Sequence, residues 1–424
     1  MTSPRPHLLV ITQVYPPDPA AVGQHLADVA EAMVAKGWRV TVLTANRGYD
    51  DPSLVYAPRE CRRGVEIRRL SLSSFGKSSI AIRLLAQGLF MLQACALALF
   101  LPRITTVLAS TSPPFAGAGA AIVARIRSAR VVWWVMDLNP DQMIASGRIT
   151  KTSLPARLFD LLNRFTLQTA AAVIVLDRFM RDRLAAKGRP RAPIAVIPPW
   201  APDVSVKDSD PEAFRAAHGL TNSFLVMYSG NHALQHPLTT ILDAARLLEN
   251  DPTIAFVFIG GGAGKKAIDE RIAAGARNIF SLPYQPLSAI GSSLGAADVH
   301  VVSMGNEMVG IVHPCKIYGI LAAGKPVIYL GPLESHAGDI LASHAIGWNV
   351  AHGDAAKAAA VIRGAYAASQ GDRDVMGRCA AAAASAEYSR DTLIGQLCRE
   401  IASNGTPDAP LAQHGSPPRA NAGK

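Results

Sequence analysis

The chain has 424 residues, 49% hydrophobic and 17% charged, which is enough for two domains with separate cores and too apolar for a disordered chain. Its net charge of +10 is unevenly distributed: residues 1–200 carry 25 Lys and Arg against 12 Asp and Glu, the remainder 17 against 20. Five cysteines (Cys61, Cys95, Cys315, Cys379, Cys398), odd in number and without a C-x-x-C pair, speak against a disulfide framework or a structural zinc and for a reducing compartment.

A basic first half calls for an anionic partner. Basic-aromatic interleaving, zinc-finger spacing and RNP-like motifs are missing, so the expected partner is not nucleic acid but an anionic membrane surface. The opening MTSPRPHLLVIT has too short an apolar run for a signal peptide.

Leu8 to Thr12 reads as a buried strand, followed by the proline-rich loop QVYPPDPAAVGQH. A helix is predicted from about His25 to Lys36 and a second strand over Arg39 to Thr44. This is half of a Rossmann-like unit, but the G-x-G-x-x-G fingerprint is absent, which speaks against an NAD enzyme. Residues 84–101 are eighteen uncharged positions between Arg83 and Arg103. They read as a membrane span, a buried core helix, or a helix dipping into one leaflet. A span would put the predicted strands Val65–Leu70 and Thr106–Ala109 on opposite sides of a bilayer, so monotopic attachment is preferred. Arg59, Arg62, Arg63, Arg68, Arg69 and Lys77 would each add about 1 kcal/mol near anionic lipid.

After the small-residue helix Phe115–Arg127, the strand Val131–Val135 ends in Asp137. A carboxylate just past the carboxyl end of a parallel strand lies where open α/β sheets bind ligands, although Asp also caps turns. A helix over Ser153–Ala170, a strand over Ala172–Leu176, a basic helix over Arg178–Lys187 and a strand over Ala195–Ile197 complete the first domain (residues 1–203). Pro198 to Asp203 reads as a stiff linker.

The second domain (204–372) restarts with a strand over Phe224–Tyr228, then the polar turn Ser229–Pro237 and a helix over Leu238–Leu248. Gly230, Asn231 and His236 are candidates there, because a glycine turn before a helix suits phosphate. The strand Ile254–Ile259 leads into Gly260–Lys265, which is not a Walker loop: Lys265 lacks a following Ser or Thr. Strands over Asn278–Leu282 and Ala296–Val302 follow, with Pro283-Tyr284-Gln285-Pro286 as the loop after the former. Residues 310–331, GIVHPCKIYGILAAGKPVIYLG, read as a glycine turn, a helix starting near Pro314-Cys315-Lys316, and the strand Val327–Tyr329. A helix start carries about half a positive charge, so His313 to Ile317 with Lys316 form an expected cradle for a diphosphate. Alanine-rich helices over 373–402 are expected to fold back across both domains. Residues 403–424, rich in Pro, Gly and Ser, read as disordered.

The segment P-C-K followed by L-A-A-G-K-P-V-I, the W-V-x-D-x-x-P-D run ending at Asp141, and the I-P-P-W hinge at Trp200 resemble family-four glycosyltransferases. These are retaining enzymes of the GT-B fold, and the likeness is greatest to their bacterial exopolysaccharide and O-antigen branch. It runs over about residues 7–400. It implies two Rossmann-like domains facing a cleft, and transfer of a sugar from a nucleotide sugar, UDP-linked, to a glycan on a polyprenyl diphosphate carrier. It also implies a cytoplasmic protein, peripheral on the inner face of the plasma membrane, with no cofactor and no metal. By this likeness Gly23 lines the cleft and Gly261, Tyr284 and Gln285 flank the nucleotide. Asp137 faces the acceptor, and His25 and His313 are cleft candidates. The family's two glutamates are replaced by Ile311 and Gly319, and its loop arginine and lysine by residues near Asn231 and His236. The D-x-D triplets, Asp208-Ser209-Asp210 and Asp372-Arg373-Asp374, lie in the linker and before a late helix, away from the strand ends a metal site would use. A nucleotide-sugar 2-epimerase of the same fold and a non-catalytic subunit lacking the glutamates are the competing readings.

Overall fold

The computed structural model describes residues 5–18, 20–48, 51–72, 80–201 and 209–403. The first sheet contains β1 (His7–Ile11), β2 (Arg39–Ala45), β3 (Arg59–Arg62), β4 (Val65–Leu70), β5 (Thr106–Ala109), β6 (Arg130–Trp134), β7 (Ala172–Val175) and β8 (Ile194–Val196). Its order is β3-β4-β2-β1-β5-β6-β7-β8, parallel throughout except for β3 against β4. The second sheet is β9 (Phe224–Ser229), β10 (Ile254–Ile259), β11 (Ile279–Leu282), β12 (Val299–Ser303), β13 (Val327–Leu330) and β14 (Gly347–Val350). It is all parallel in the order β11-β10-β9-β12-β13-β14. Unbroken apolar runs such as LLVI in β1 and IAFVFI in β10 are buried along their length, because helices cover both faces of each sheet. Strand order reverses beside β1 in one lobe and between β9 and β12 in the other, and ligands bind doubly wound sheets at such switch points.

The hairpin of β3 and β4 escaped the sequence reading because β3 (RECR) has no apolar face. Its turn residues Arg63 and Gly64 have φ of 47° and 82°, the doubly left-handed pair of a tight hairpin turn. The helix expected from His25 starts earlier, at Ala21, and runs to Ala35. Gly23 sits in its first turn, where an added Cβ would lie 3.1 Å from the Tyr15 backbone.

The apolar segment near residue 90 forms a helix over Ile80–Leu99. Phe90, Met91, Ala94 and Ala98 are buried in the first-lobe core, and no helix among the described residues is long and apolar enough to cross a membrane. Three of the five arginines expected to face lipid are engaged with protein groups, while Arg59 and Arg62 are exposed. The Arg69 side chain is fully buried, donating to Ala57 O and Pro16 O and pairing with Glu60, while Arg68 pairs with Glu66 and Arg63 with Glu31. Lys77 lies outside the described residues, as do the linker segment 202–208 and the tail 404–424.

One apolar cluster runs from the first lobe to Met308, Ile311, Val312 and Ile317 of the second, and specific polar groups fasten the linker and the final helix. Trp200, at the start of the linker, is buried against Trp134 and donates Nε1–H to Asp28 Oδ2 at 2.8 Å. The same carboxylate takes Arg390 Nη2 at 2.6 Å, which fastens the final helix, Arg390–Ala402, to the Ala21–Ala35 helix. The preceding helix, Gln370–Ala386, packs instead on the second lobe, against Lys316–Ala322. Trp200→Ala should therefore destabilise the protein by about 3–5 kcal/mol, as loss of a buried tryptophan does. The expected readout is a lower denaturant midpoint in far-UV circular dichroism; an unchanged midpoint would remove Trp200 from this role.

Candidate active site between the lobes

Strand β9 ends at Ser229, and Gly230 (φ 119°) turns the chain across the switch point of the second sheet. Lys316, first residue of the helix Lys316–Ala322, reaches this turn: Nζ donates to Asn231 O at 3.0 Å and lies 5.0 Å from the centre of the Tyr228 ring. The positive φ of Gly230 favours glycine, and a Cβ there would stand 2.9 Å from Lys316 Cε and displace the end of that side chain. Burial pulls the Lys316 ammonium down to about 8. Among the described residues it has no carboxylate partner. A desolvated cation with spare N–H donors is a site for an anion.

A second glycine turn lies beside the first. His232 N donates to Gly261 O and Gly264 N to His232 O, both at 2.7 Å, stitching the loop after β9 to the loop after β10. Gly260 and Gly262 have φ of 129° and 127°. A Cβ added at Gly260 or Gly261 would stand 3.3 or 3.4 Å from the Tyr284 ring, whose hydroxyl donates to Gly261 O at 3.2 Å. Gln285 is directed away, donating to Pro283 O at 3.0 Å. Thus Gly230, Asn231, Gly261, Tyr284 and Lys316 assemble.

The helix start does not form the expected cradle of open N–H groups. Pro314 has none, Cys315 N donates to His313 O, Ile317 N to Pro314 O and Tyr318 N to Cys315 O, at 2.9, 3.1 and 3.2 Å. Pro314 and Ile317 are buried, and the helix is only seven residues long, so few dipoles align. The lysine, not the helix terminus, supplies the charge. The Cys315 thiol is pushed up to about 12 by burial and stays neutral. His236 is also corrected: Nδ1 lies 2.7 Å from Ser303 O, which can only accept, and burial lowers the ring to about 3. Its single N–H is spent, leaving Nε2 as an acceptor rather than a phosphate donor.

On the first lobe, Asp137 follows β6 and its backbone N donates to Thr111 Oγ1 at 3.1 Å. Burial raises its carboxyl to about 6, opposed by the nearby His313. Leu138 N bonds Ile311 O at 2.9 Å, so the Asp137 turn rests on the loop that carries His313. His25 is buried edge-on to Trp200, ring centres 4.8 Å apart, and burial lowers it to about 4. Gly23 packs on the Tyr15 backbone in the same turn. His313 is buried and turned toward Asp177, Nδ1 to Oδ2 2.8 Å, rather than toward Lys316. Asp177, Tyr228, His232, Tyr318 and His336 were not anticipated. Asp177 could have been found, since it follows the carboxyl end of a parallel strand as Asp137 does. Asp372 and Asp374 bond to Ser369 and Gln370 within their own helix.

Two doubly wound parallel sheets, linked through a tryptophan hinge with a cation and two glycine turns at the second lobe's switch point, define the GT-B class of glycosyltransferase. Residues 20–200 match the glycosyl transferase 4-like domain and residues 210–380 the glycosyl transferases group 1. The chain belongs to the family-four GT-B glycosyltransferases. It is 25% identical over 352 residues to the putative colanic acid biosynthesis glycosyl transferase WcaI of Escherichia coli (strain K12), covering 78% of this chain and 85% of that protein. Among solved structures, sucrose-phosphate synthase from Thermosynechococcus elongatus superposes with a TM-score of 0.71 at 17% identity, covering 94% of this chain and 99% of that one. Anabaena HepE in complex with UDP-glucose gives 0.68 at 16% identity, covering 93% and 98%.

The Asp137 environment has a measurable consequence. A carboxyl held near 6 instead of its ordinary 3.8 gives stability that is complete below about pH 4 and lost as pH rises through about 6. Asp137→Asn should remove that decline, so its melting temperature should exceed that of the parent at pH 7.5 and converge with it at pH 4. Parallel curves across this range would show that Asp137 is not desolvated.

Proposed function

We propose that the protein transfers a sugar from a nucleotide sugar, UDP-linked, to a glycan carried on polyprenyl diphosphate, with retention at the anomeric carbon, in the synthesis of a cell-surface polysaccharide. The observation that carries this reading is the unpaired Lys316 ammonium held at the Gly230 turn. As the sugar–phosphate bond breaks, negative charge develops on the departing diphosphate, and a preorganised cation in a poorly solvated site stabilises it strongly. Gly230, Asn231, Gly261 and Tyr284 would flank the donor, Tyr284 through its exposed ring face, and Asp137 and His25 would lie on the acceptor side. Complexes of the structural neighbour HepE with UDP and with UDP-glucose support the donor class, and the name of WcaI supports the polysaccharide context.

The test begins with a thermal-shift screen of UDP-, GDP- and dTDP-sugars, followed by transfer to a polyprenyl-diphosphate-linked acceptor with the anomeric configuration read by NMR. Lys316→Ala should weaken donor binding at least about tenfold, the loss of one charge-assisted contact. Because an anion restores the charge that burial disfavours, wild-type donor affinity should fall as pH rises through about 8, with proton uptake on binding near that pH. Calorimetry in buffers of different ionisation enthalpy measures this uptake. Donor binding indifferent to Lys316 would remove the reading.

Peripheral attachment to an anionic bilayer belongs to the same proposal. The helices Ile80–Leu99, Ala116–Arg127 and Leu154–Thr169 pack side by side on the first lobe. Their outer faces carry Leu85 and Leu92, 60% and 68% exposed, together with Ile122, Ile126, Leu158 and Leu161. Arg125, Arg157 and Arg164 are exposed among them, and none joins an ion pair among the described residues. Apolar side chains ringed by unpaired cations suit the headgroup region of anionic lipid. The wild type should co-sediment with phosphatidylglycerol vesicles and not with phosphatidylcholine vesicles, and Leu85→Glu/Leu92→Glu should abolish this. Binding that survives the double substitution would relocate the surface.

A further inference from the structure

Four side chains from both lobes form a hydrogen-bonded chain that the donor site does not use. Asp177 lies two residues past β7, and its Oδ1 accepts from Met180 N at 2.8 Å, capping the helix Arg178–Ala185. Its other oxygen lies 2.8 Å from His313 Nδ1. On the far side of that ring, Nε2 is 2.7 Å from the Tyr318 hydroxyl, which lies 2.7 Å from His336 Nε2. Asp177, His313 and Tyr318 are buried, and His336 is partly exposed. The imidazoles of His313 and His336 are 4.4 Å apart, and the Tyr388 ring closes over Tyr318 at 5.2 Å.

The chemistry of the groups assigns the hydrogens. Hydrogen bonding from His313 and Met180 holds the Asp177 carboxyl below its ordinary range despite burial, so it is ionised and can only accept. His313 therefore carries its proton on Nδ1. In the Nδ1–H tautomer of His313, Nε2 accepts from the Tyr318 O–H, and the phenol oxygen accepts from His336 Nε2–H. Each member then has one consistent role, and the ring of His313 is fixed in orientation and tautomer from both sides. That ring stands between the two functional ends of the site. Lys316 and Tyr318 belong to the same helix three residues on, and the Asp137 turn is bonded to Ile311, two residues before.

We infer that His313, held by Asp177, Tyr318 and His336, is a positioning residue that sets the Lys316 helix of the donor lobe in register with Asp137 of the acceptor lobe. It touches neither the diphosphate position nor an acceptor. Its work is to fix the distance between the group that holds the donor and the lobe that presents the acceptor. An error of about 1 Å in such alignment costs on the order of 100-fold in turnover, while leaving each half-site intact. The inference rests on the donor reading above, and its tests separate the two.

Tyr318→Phe keeps the ring and deletes the hydroxyl that joins both histidines. The expected result is a fall in kcat of at least about tenfold with donor Kd unchanged within about twofold, the opposite of Lys316→Ala. Asp177→Asn should weaken kcat similarly and let Nδ1 become an acceptor. Long-range ¹H–¹⁵N correlation on histidine-labelled protein should then show His313 change from the Nδ1–H to the Nε2–H tautomer. His336→Gln, which can still donate to the Tyr318 hydroxyl, should retain more kcat than His336→Ala. The inference is overturned if wild-type His313 is the Nε2–H tautomer, if Tyr318→Phe turns over normally, or if its loss of activity equals its loss of donor affinity. Should Tyr318→Phe fail to fold, the histidine spectrum of the wild type and the His336 pair decide. A wild type that binds no nucleotide sugar would sink the donor reading, while the tautomer measurement would still judge the chain of bonds.

Discussion

The site depends on one contested volume, the space above Gly230 that the aliphatic end of Lys316 fills. Placing an ammonium there is unfavourable by itself: the group is desolvated, accepted by one carbonyl and faced by the Tyr228 ring. A carboxylate partner would relieve the cost and destroy the use. With one bond to Asn231 O made, the remaining N–H donors and the uncompensated charge await an anion that supplies what burial removed. The neutral state of three neighbouring titratable groups follows from the same burial. His232 and His236 are lowered to about 4 and about 3 and the Cys315 thiol is raised to about 12, so none competes with the lysine for the incoming charge.

That arrangement constrains the rest of the chain, because Lys316 is fixed by what precedes it. The loop from Gly310 to Pro314 is docked on the first lobe: a Cβ at Gly310 (φ 69°) would lie 2.6 Å from Phe179 O, Ile311 O takes Leu138 N, and His313 takes Asp177. A second tie, Arg178 to Asp339 at 2.7 and 2.9 Å, lies at the exposed edge of this contact. Exposed ion pairs of that kind contribute little stability, whereas the buried His313 bond is costly to break, since it would strand an ionised carboxylate. The buried polar chain thus adds a directional tie to the apolar cluster the lobes share, while the Asp28 carboxylate gathers Trp200 and Arg390 onto the first lobe.

Much of this was legible in the residues. The parallel strands announced themselves as unbroken apolar runs between glycine turns, and Gly230, Gly261, Tyr284 and Lys316 meet because their loops follow the carboxyl ends of neighbouring strands. What was not legible depended on partners distant in sequence. The N–H groups of Cys315 and Ile317 look open on a helical pattern, but the tight turn at Pro314 uses them locally. Arg69 reads as a surface cation, yet its partners arrive from two separate segments, Pro16 from one and Ala57 and Glu60 from another. His313 and His336 are 23 positions apart and Asp177 lies in the other lobe, so no spacing rule joins them. The outward stripe of the Ile80–Leu99 helix was visible as hydrophobicity, but not the division of that hydrophobicity between core and surface.

The two positions where related glycosyltransferases carry glutamate show how the cationic character of the site is maintained. Ile311 is buried, with its carbonyl committed to Leu138, so this position serves the contact between lobes. A carboxylate side chain there would have to be desolvated beside Asp137 and Asp177, a penalty of several kcal/mol unless it were protonated or paired. Gly319 leaves its space to Leu294, whose Cδ1 would lie 3.5 Å from an added Cβ, in ordinary contact with no clash. Room for a longer side chain at 319 is therefore not what excludes an acid. Among the described residues Lys316 has no carboxylate partner, and Glu307 of that loop is exposed to solvent. On the proposed reading, recognition of the rest of the donor would fall to uncharged groups: the Tyr284 face and the backbone of the two glycine turns. A site of this composition would hold a nucleotide sugar by its phosphates first and discriminate among sugars and bases by shape.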